Sequence, residues 1–211
     1  MFVERIEVEV SRGFTENCYI VSEDKKASHV IVVDPGAQAE TILEALGNRI
    51  PDCIVLTHRH YDHIGALCKL VERTGAEVIA HALDAEAIVE STKKNPLTKM
   101  LSLKPVNIDR FVDESDSIPV GEKRLKVLYT PGHSVGSICL FDEEDHILLA
   151  GDTLFYEAVG RTDLPTGDVR QQQLSLRKLA GLPDDTRVHP GHDEDTSIGH
   201  EKRYGYLAQF I

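Results

Sequence analysis

Apolar and polar positions along this chain fall into short blocks, punctuated by glycine, proline and acidic residues. Val3–Val10 alternates apolar and charged residues, the period-two pattern of a strand with one wet face. Asn17–Ser22 reads as a second strand. His29–Val33 reads as a third, apolar after its first residue and ended by the turn Asp34-Pro35-Gly36. Helical spacing over Ala39–Leu46 stops at Gly47, and over Ile64–Thr74 it stops at Gly75. Between those helices lies a short buried strand, Cys53–Leu56, and another follows at Glu77–Ala80. Leu83–Glu90 predicts a short helix. The polar stretch 91–107, with Pro96 and Pro105, predicts a connecting loop or lid. Arg124–Tyr129, Ser137–Phe141 and His146–Ala150 predict three strands, Val169–Leu179 a helix, Thr186–His189 a short strand and Glu201–Phe210 a closing helix. Strands mixed with helices in both halves point to α/β layers over one or two sheets. No repeat, low-complexity tract or linker divides the chain, so residues 1–211 read as a single domain.

Composition narrows the function. With 211 residues and 41% apolar content, the chain belongs to the globular class. Its net charge of −12 argues against a nucleic-acid partner, because phosphate binding needs a positive face. Lys93, Lys94, Lys99 and Lys104 form a local basic run, read as a solvated surface. Cys18, Cys53, Cys68 and Cys139 are widely spaced and form no CxxC pair, which fits buried free thiols in a reducing cytoplasm. The opening Met1-Phe2-Val3-Glu4-Arg5 is unlike a signal peptide, and no apolar stretch nears the ~20 residues that cross a bilayer. A cytoplasmic protein without a membrane partner is expected; its oligomeric state is not encoded in any of these features.

The chemistry is concentrated in Thr57-His58-Arg59-His60-Tyr61-Asp62-His63. His58, His60, Asp62 and His63 carry imidazole nitrogens and a carboxylate, the donors that zinc, iron and manganese accept. An apolar strand leads into this cluster and a helical pattern leads out. Three other strand ends also deliver a metal-binding side chain just after glycine: Gly132-His133, Gly151-Asp152 and Gly191-His192. Glycine allows the sharp turn that aims the next side chain over a strand end. These seven residues exceed the needs of one four-coordinate ion but suit two ions sharing a carboxylate. His29, His81, His146 and His200 read as surface or hydrogen-bonded histidines, and His189 as a possible support for the site.

His-x-His-x-Asp-His, followed by Pro-Gly-His, Gly-Asp and a late Gly-His, resembles the metallo-β-lactamase superfamily across nearly the whole chain. The resemblance implies an αββα four-layer sandwich with the metal site at one edge of the two sheets. It implies that His58, His60 and His133 hold one ion, that Asp62, His63 and His192 hold a second, and that Asp152 bridges them. Asp34, in the early Asp-Pro-Gly turn, would support the site by hydrogen bonds. Gly151-Asp152-Thr153-Leu154-Phe155, Gly160-Arg161-Thr162-Asp163-Leu164 and Thr196-Ser197-Ile198-Gly199 resemble the short glyoxalase II branch. Larger members of that branch carry a further helical domain that helps hold glutathione, together with a Lys and a Tyr beyond the bridging aspartate; here Arg161 and Asp163 stand near those places. The reaction type therefore carries over better than the thiol.

A metal-held water has a pKa lowered to about 7, which favours hydrolysis at neutral pH. A thiolate leaves with little protonation, whereas an amine generally needs an acid, and no additional acid stands beside the motifs. The resulting expectation is a metal-dependent hydrolase acting on a small acyl-thiol such as S-D-lactoylglutathione, with zinc as the leading metal and iron or manganese accepting the same donors. Asp62 and Asp152 are the expected catalytic carboxylates, with Asp62 orienting the attacking oxygen. Arg161 is a candidate for an acidic substrate's carboxylate, with Arg170 beside it; salt bridges to Asp163 or Asp168 are the competing role. Tyr156 is a candidate pocket wall or a packed aromatic. The rival reading is a mononuclear iron persulfide dioxygenase, which the resemblance would place on His58, His133 and Asp152; that branch carries Phe where Leu164 stands. A β-lactamase is disfavoured by the missing secretion signal, a nuclease by the charge, and a flavodiiron-type domain by His60, where that type carries Glu.

Overall fold

A computed structural model describes residues 1–210. The first sheet contains β1 (Phe2–Ser11), β2 (Phe14–Ser22), β3 (His29–Val33), β4 (Ile50–Val55), β5 (Glu77–His81) and β6 (Arg110–Val112), in that spatial order. The second contains β7 (Ser117–Val120), β8 (Lys123–Tyr129), β9 (Ile138–Asp142), β10 (Ile147–Gly151), β11 (Arg187–Pro190) and β12 (Thr196–Ser197), also in simple succession. The helices are α1 (Ala39–Leu46), α2 (Leu67–Thr74), α3 (Ala82–Lys94), α4 (Pro96–Met100), α5 (Val169–Ala180) and α6 (Ile198–Arg203).

Residue alternation within the strands builds three apolar layers. Tyr19, Val21, Ile31, Val33, Val55 and Ile79 face Ile118, Leu125, Val127, Ile138, Leu140 and Leu149 across the gap between sheets. Their neighbours Cys18, Ile20, Val30, Val32 and Ile54 point the other way, onto Ile42 and Leu46 of α1 and Leu67 and Leu70 of α2. On the far side, Leu128, Cys139, Phe141 and Leu148 pack on Leu176 and Leu179 of α5 and Ile198 of α6. Period-two strands buried on both faces require a helix layer outside each sheet. The result is the expected αββα sandwich.

Three short strands, β6, β7 and β12, were not predicted from the pattern. The stretch expected as loop after residue 90 instead continues α3 to Lys94 and holds α4, which starts on Pro96, a residue suited to a first helical turn. Helix α2 begins at Leu67 rather than Ile64, because Tyr61–His63 forms a separate 3-10 turn. The closing helix is split into α6 and a 3-10 segment, Tyr206–Phe210. Helices α1 and α2 end where expected, with Gly47 and Gly75 at positive φ.

β3, β4 and β5 run parallel, so their C-terminal ends share one edge. Asp34 and residues 57–63 follow β3 and β4 at that edge. The two halves are stitched there: Ile138 N donates to Thr57 O at 2.9 Å, and Asn17 N donates to Gly191 O at 2.8 Å. Among the described residues, no helix is long and apolar enough to cross a membrane.

Candidate metal centre

All seven residues expected as ligands meet at this edge. His58, His60 and His133 place one nitrogen each within a mutual 4.8 Å, and Asp62, His63 and His192 form a second such trio. In the first trio, His60 Nδ1 lies 2.7 Å from His133 Nε2. Asp152 stands between the trios: its Oδ1 is 3.2 Å from His63 Nε2, and its Oδ2 is 3.3 Å from His133 Nε2 and 3.6 Å from His192 Nε2. Asp62 Oδ2 is 3.4 Å from His192 Nε2.

Local backbone geometry explains how separate strands aim these groups inward. Gly151 adopts φ +46°, and a Cβ there would lie 2.5 Å from Thr57 Oγ1. A Cβ on Gly191 would lie 2.3 Å from Asp152 Oδ1 and 2.7 Å from His63 Cε1. Both glycines are therefore required for the approach of their strand ends, one for conformation and space and the other for space alone.

Hydrogen bonds orient the imidazoles. His133 Nδ1 donates to Arg161 O at 2.8 Å, and His192 Nδ1 donates to Thr15 O at 2.7 Å. His58 Nδ1 lies 3.1 Å from Thr57 Oγ1, and His63 Nδ1 lies 3.0 Å from Asp34 Oδ2. In these four rings Nδ1 carries the outward hydrogen bond and Nε2 turns inward, the arrangement that fixes a metal-binding tautomer, whereas His60 turns its Nδ1 inward. Asp34 also accepts from Thr57 N at 2.7 Å, so its oxygens are taken up by support. Phe14 stacks on the outer side of His192, with ring centroids 5.0 Å apart.

The buried atoms His58 Nε2, His63 Nε2 and Asp152 Oδ1 have no hydrogen-bond partner. His63 Nε2 and Asp152 Oδ1 do face each other as an ion pair at 3.2 Å, but without a hydrogen bond, and His58 Nε2 has no partner. Buried polar atoms so under-satisfied are costly, and their convergence on one centre suits a cation. Nitrogen and carboxylate donors in this ratio fit zinc, iron or manganese. Electrostatics agree with a coupled cluster. Burial drives the His58 imidazole well below its usual range, and burial together with His133 drives His60 down to about 4. Burial opposes ionisation of Asp152, but His63, His58 and His133 hold it far below the ordinary carboxylate range. Burial likewise opposes a charged His63, yet Asp152 and Asp34 raise it well above normal.

Other candidates lie outside the cluster. The Arg161 side chain is exposed and paired with Asp163 at 2.7 Å, although its carbonyl holds His133. Tyr156 stacks on His200 at 4.9 Å. His29 pairs with Asp52, His146 with Asp185 and His189 with Asp195, while His81 stacks on Tyr129. Two buried acids close to the site, Glu16 and Asp84, carried no motif in the sequence. Glu16 Oε1 lies 3.7 Å from His63 Nδ1, and burial raises its carboxyl well above the usual range.

Comparison with known proteins agrees with this geometry. The chain is 38% identical to an uncharacterised Aquifex aeolicus protein, covering 91% of each. It is 31% identical to Hydroxyacylglutathione hydrolase GloC of Haemophilus influenzae, covering 94% of this chain and 95% of that protein. Among solved structures it is similar to BLEG-1 B3 metallo-beta-lactamase (29% identity, TM-score 0.82, 99% of each chain). It is also similar to TTHA1623 in a di-iron-bound form (34% identity, TM-score 0.81, 96% of this chain and 98% of that one). A third is ETHE1 from Myxococcus xanthus (28% identity, TM-score 0.79, 100% and 88%). Residues 11–192, which span six of the seven converging side chains and end on the seventh, match the Metallo-beta-lactamase superfamily, and the chain belongs to that family.

Proposed function

We propose that this chain is a dinuclear metal-dependent thioester hydrolase acting on a small acyl-thiol, of which S-D-lactoylglutathione is the first to test. The observation that carries the reading is Asp152, set within 3.2–3.6 Å of histidines from both trios. A lone carboxylate so placed suits two ions rather than one. The GloC likeness, at nearly full length in both chains, supports the thioester class.

His58, His60 and His133 would hold one ion and Asp62, His63 and His192 the other, with Asp152 contributing to both. Divalent ions at such a centre acidify water and polarise a carbonyl oxygen. The protein's own groups then set position and access. Asp62, beside His192 on the trio's outer side, would orient the attacking oxygen. Phe14 shields His192 from water. Arg161 would attract an acidic substrate, exchanging Asp163 for the ligand's carboxylate, and Tyr156 would flank the acyl-thiol. A thiolate leaves without a dedicated proton donor. Zinc is the leading metal and the reducing cytoplasm the leading location.

ETHE1, similar over the whole of this chain, supports a second reading: an iron persulfide dioxygenase on His58, His133 and Asp152. The discriminating assay measures S-D-lactoylglutathione hydrolysis and oxygen uptake with glutathione persulfide on one metal-quantified sample. Hydrolysis without oxygen uptake supports the proposal; oxygen uptake without hydrolysis replaces it with the second reading. A lactam substrate such as nitrocefin, run beside them, tests the activity named for BLEG-1.

A further inference from the structure

Asp84 lies in the first turn of α3 and is fully buried, yet it lies outside both trios. Its carboxylate reaches across the sandwich. Ser134 Oγ donates to Asp84 Oδ2 at 2.5 Å, and Gly136 N donates to Asp84 Oδ1 at 3.2 Å. Ser134 directly follows His133. On the other side, Arg59 Nη1 lies 3.9 Å from Asp84 Oδ1, and Arg59 is the residue between His58 and His60. One side chain therefore contacts both segments that carry the first trio.

The surroundings are shaped around that carboxylate. A Cβ on Gly136 would lie 2.6 Å from Asp84 Cγ and 2.8 Å from its Cβ. Ser134 N donates to Ser137 Oγ at 3.0 Å, closing the turn that Asp84 grips. His81 Nδ1 accepts from Leu83 N at 3.2 Å, which fixes the start of α3 and so the position of Asp84. His63 of the second trio has a comparable brace in Asp34, which also accepts from Thr57 beside His58.

We propose that Asp84 is a positioning residue for the His58–His60–His133 trio, setting the distance between the two segments and thereby the affinity of the ion held there. The inference rests on the metal-centre reading. Partners that orient metal ligands commonly contribute about 10- to 100-fold in affinity, so a loss of that size confined to one ion is expected.

The test titrates metal-free protein with Zn²⁺ against a chromophoric chelator, reading both binding steps. Asp84→Ala should weaken one step by about 10- to 100-fold and leave the other within about twofold. His192→Ala, which removes a ligand of the other trio, should weaken the opposite step. Asp84→Asn can still accept from Gly136 N and bond Ser134 Oγ, so it should restore most of the lost affinity. Ser134→Ala removes a donor while leaving the Asp84 side chain in place, and should reproduce the selective loss even if Asp84→Ala does not fold. Equal weakening of both steps, or no weakening in a folded Asp84→Ala and in Ser134→Ala, overturns the proposal. A wild-type chain that takes up no Zn²⁺ overturns the metal-centre reading itself, and this inference with it.

Discussion

His63 and Asp34 are joined by a 3.0 Å contact between Nδ1 and Oδ2, which leaves His63 Nε2 facing Asp152 Oδ1 at 3.2 Å. The relationship separates two kinds of carboxylate in one site. Asp34 accepts hydrogen bonds from Thr57 and His63 and acts as scaffold, whereas Asp152 makes no hydrogen bond through its buried Oδ1 and faces the centre.

Asp34→Ala therefore combines two losses. It strands the buried Thr57 amide and replaces a residue at φ +50°, where alanine is strained. The expected cost is about 2–4 kcal/mol in urea unfolding of the metal-free protein. Asp34→Asn tolerates the left-handed backbone but turns an amide group toward donors, so its cost should be smaller. A neutral Asp34→Ala would contradict the assigned role.

The pH dependence of the metal-free protein carries the signature of buried imidazoles. His60 is held down to about 4, against ~6.5 in an unfolded chain. Between those values the unfolded chain binds more protons, so this group costs stability as pH falls from ~6.5 toward 4 and costs nothing above that window. His63 and His192 are raised, so their contribution has the opposite sign: it is present at low pH and lost as pH rises through their folded values. His60→Gln removes this group's own part and relieves its coupling to His58 and His133. Wild type should lose stability relative to that variant between pH 7 and pH 4.5, measured by urea unfolding at each pH. A constant difference, or wild type gaining, would contradict the burial of a neutral His60.

Arg161 and Asp163 form an exposed pair, 62% and 68% accessible, so their mutual attraction is screened by water. Arg161→Ala should leave the stability to unfolding essentially unchanged. If Arg161 meets the substrate, the same variant raises KM with kcat nearly unchanged. An unchanged KM removes it from substrate binding.

All four cysteines are buried and free. Burial pushes the Cys53 thiol up to about 12 and the Cys139 thiol up to about 11, and raises Cys18 well above its usual range. The thiolate is the reactive form, so the native protein should react very slowly with a thiol reagent at pH 8 and yield four thiols once unfolded. Rapid labelling of the native state would contradict this packing.

The seven clustered side chains were legible because four sit within a six-residue span and the others each follow a glycine at a strand end. Apolar runs located most of the strands for a similar reason: they are buried on both faces, so few polar residues interrupt them. What escaped has a physical cause. β6, β7 and β12 hold three, four and two residues, too few to display a period. The delayed start of α2 reflects Asp62 and His63 being drawn into the 3-10 turn that serves the site. Asp84 and Glu16 were invisible because a single acid in an amphipathic pattern looks solvated; only the fold reveals that each is buried.

The central claim is tested most directly by elemental analysis of the chain after reconstitution with divalent metal. The account predicts about two ions per chain for wild type and a clear deficit for Asp152→Ala. A wild-type chain that retains no ion, or an Asp152→Ala chain that retains both, would contradict it.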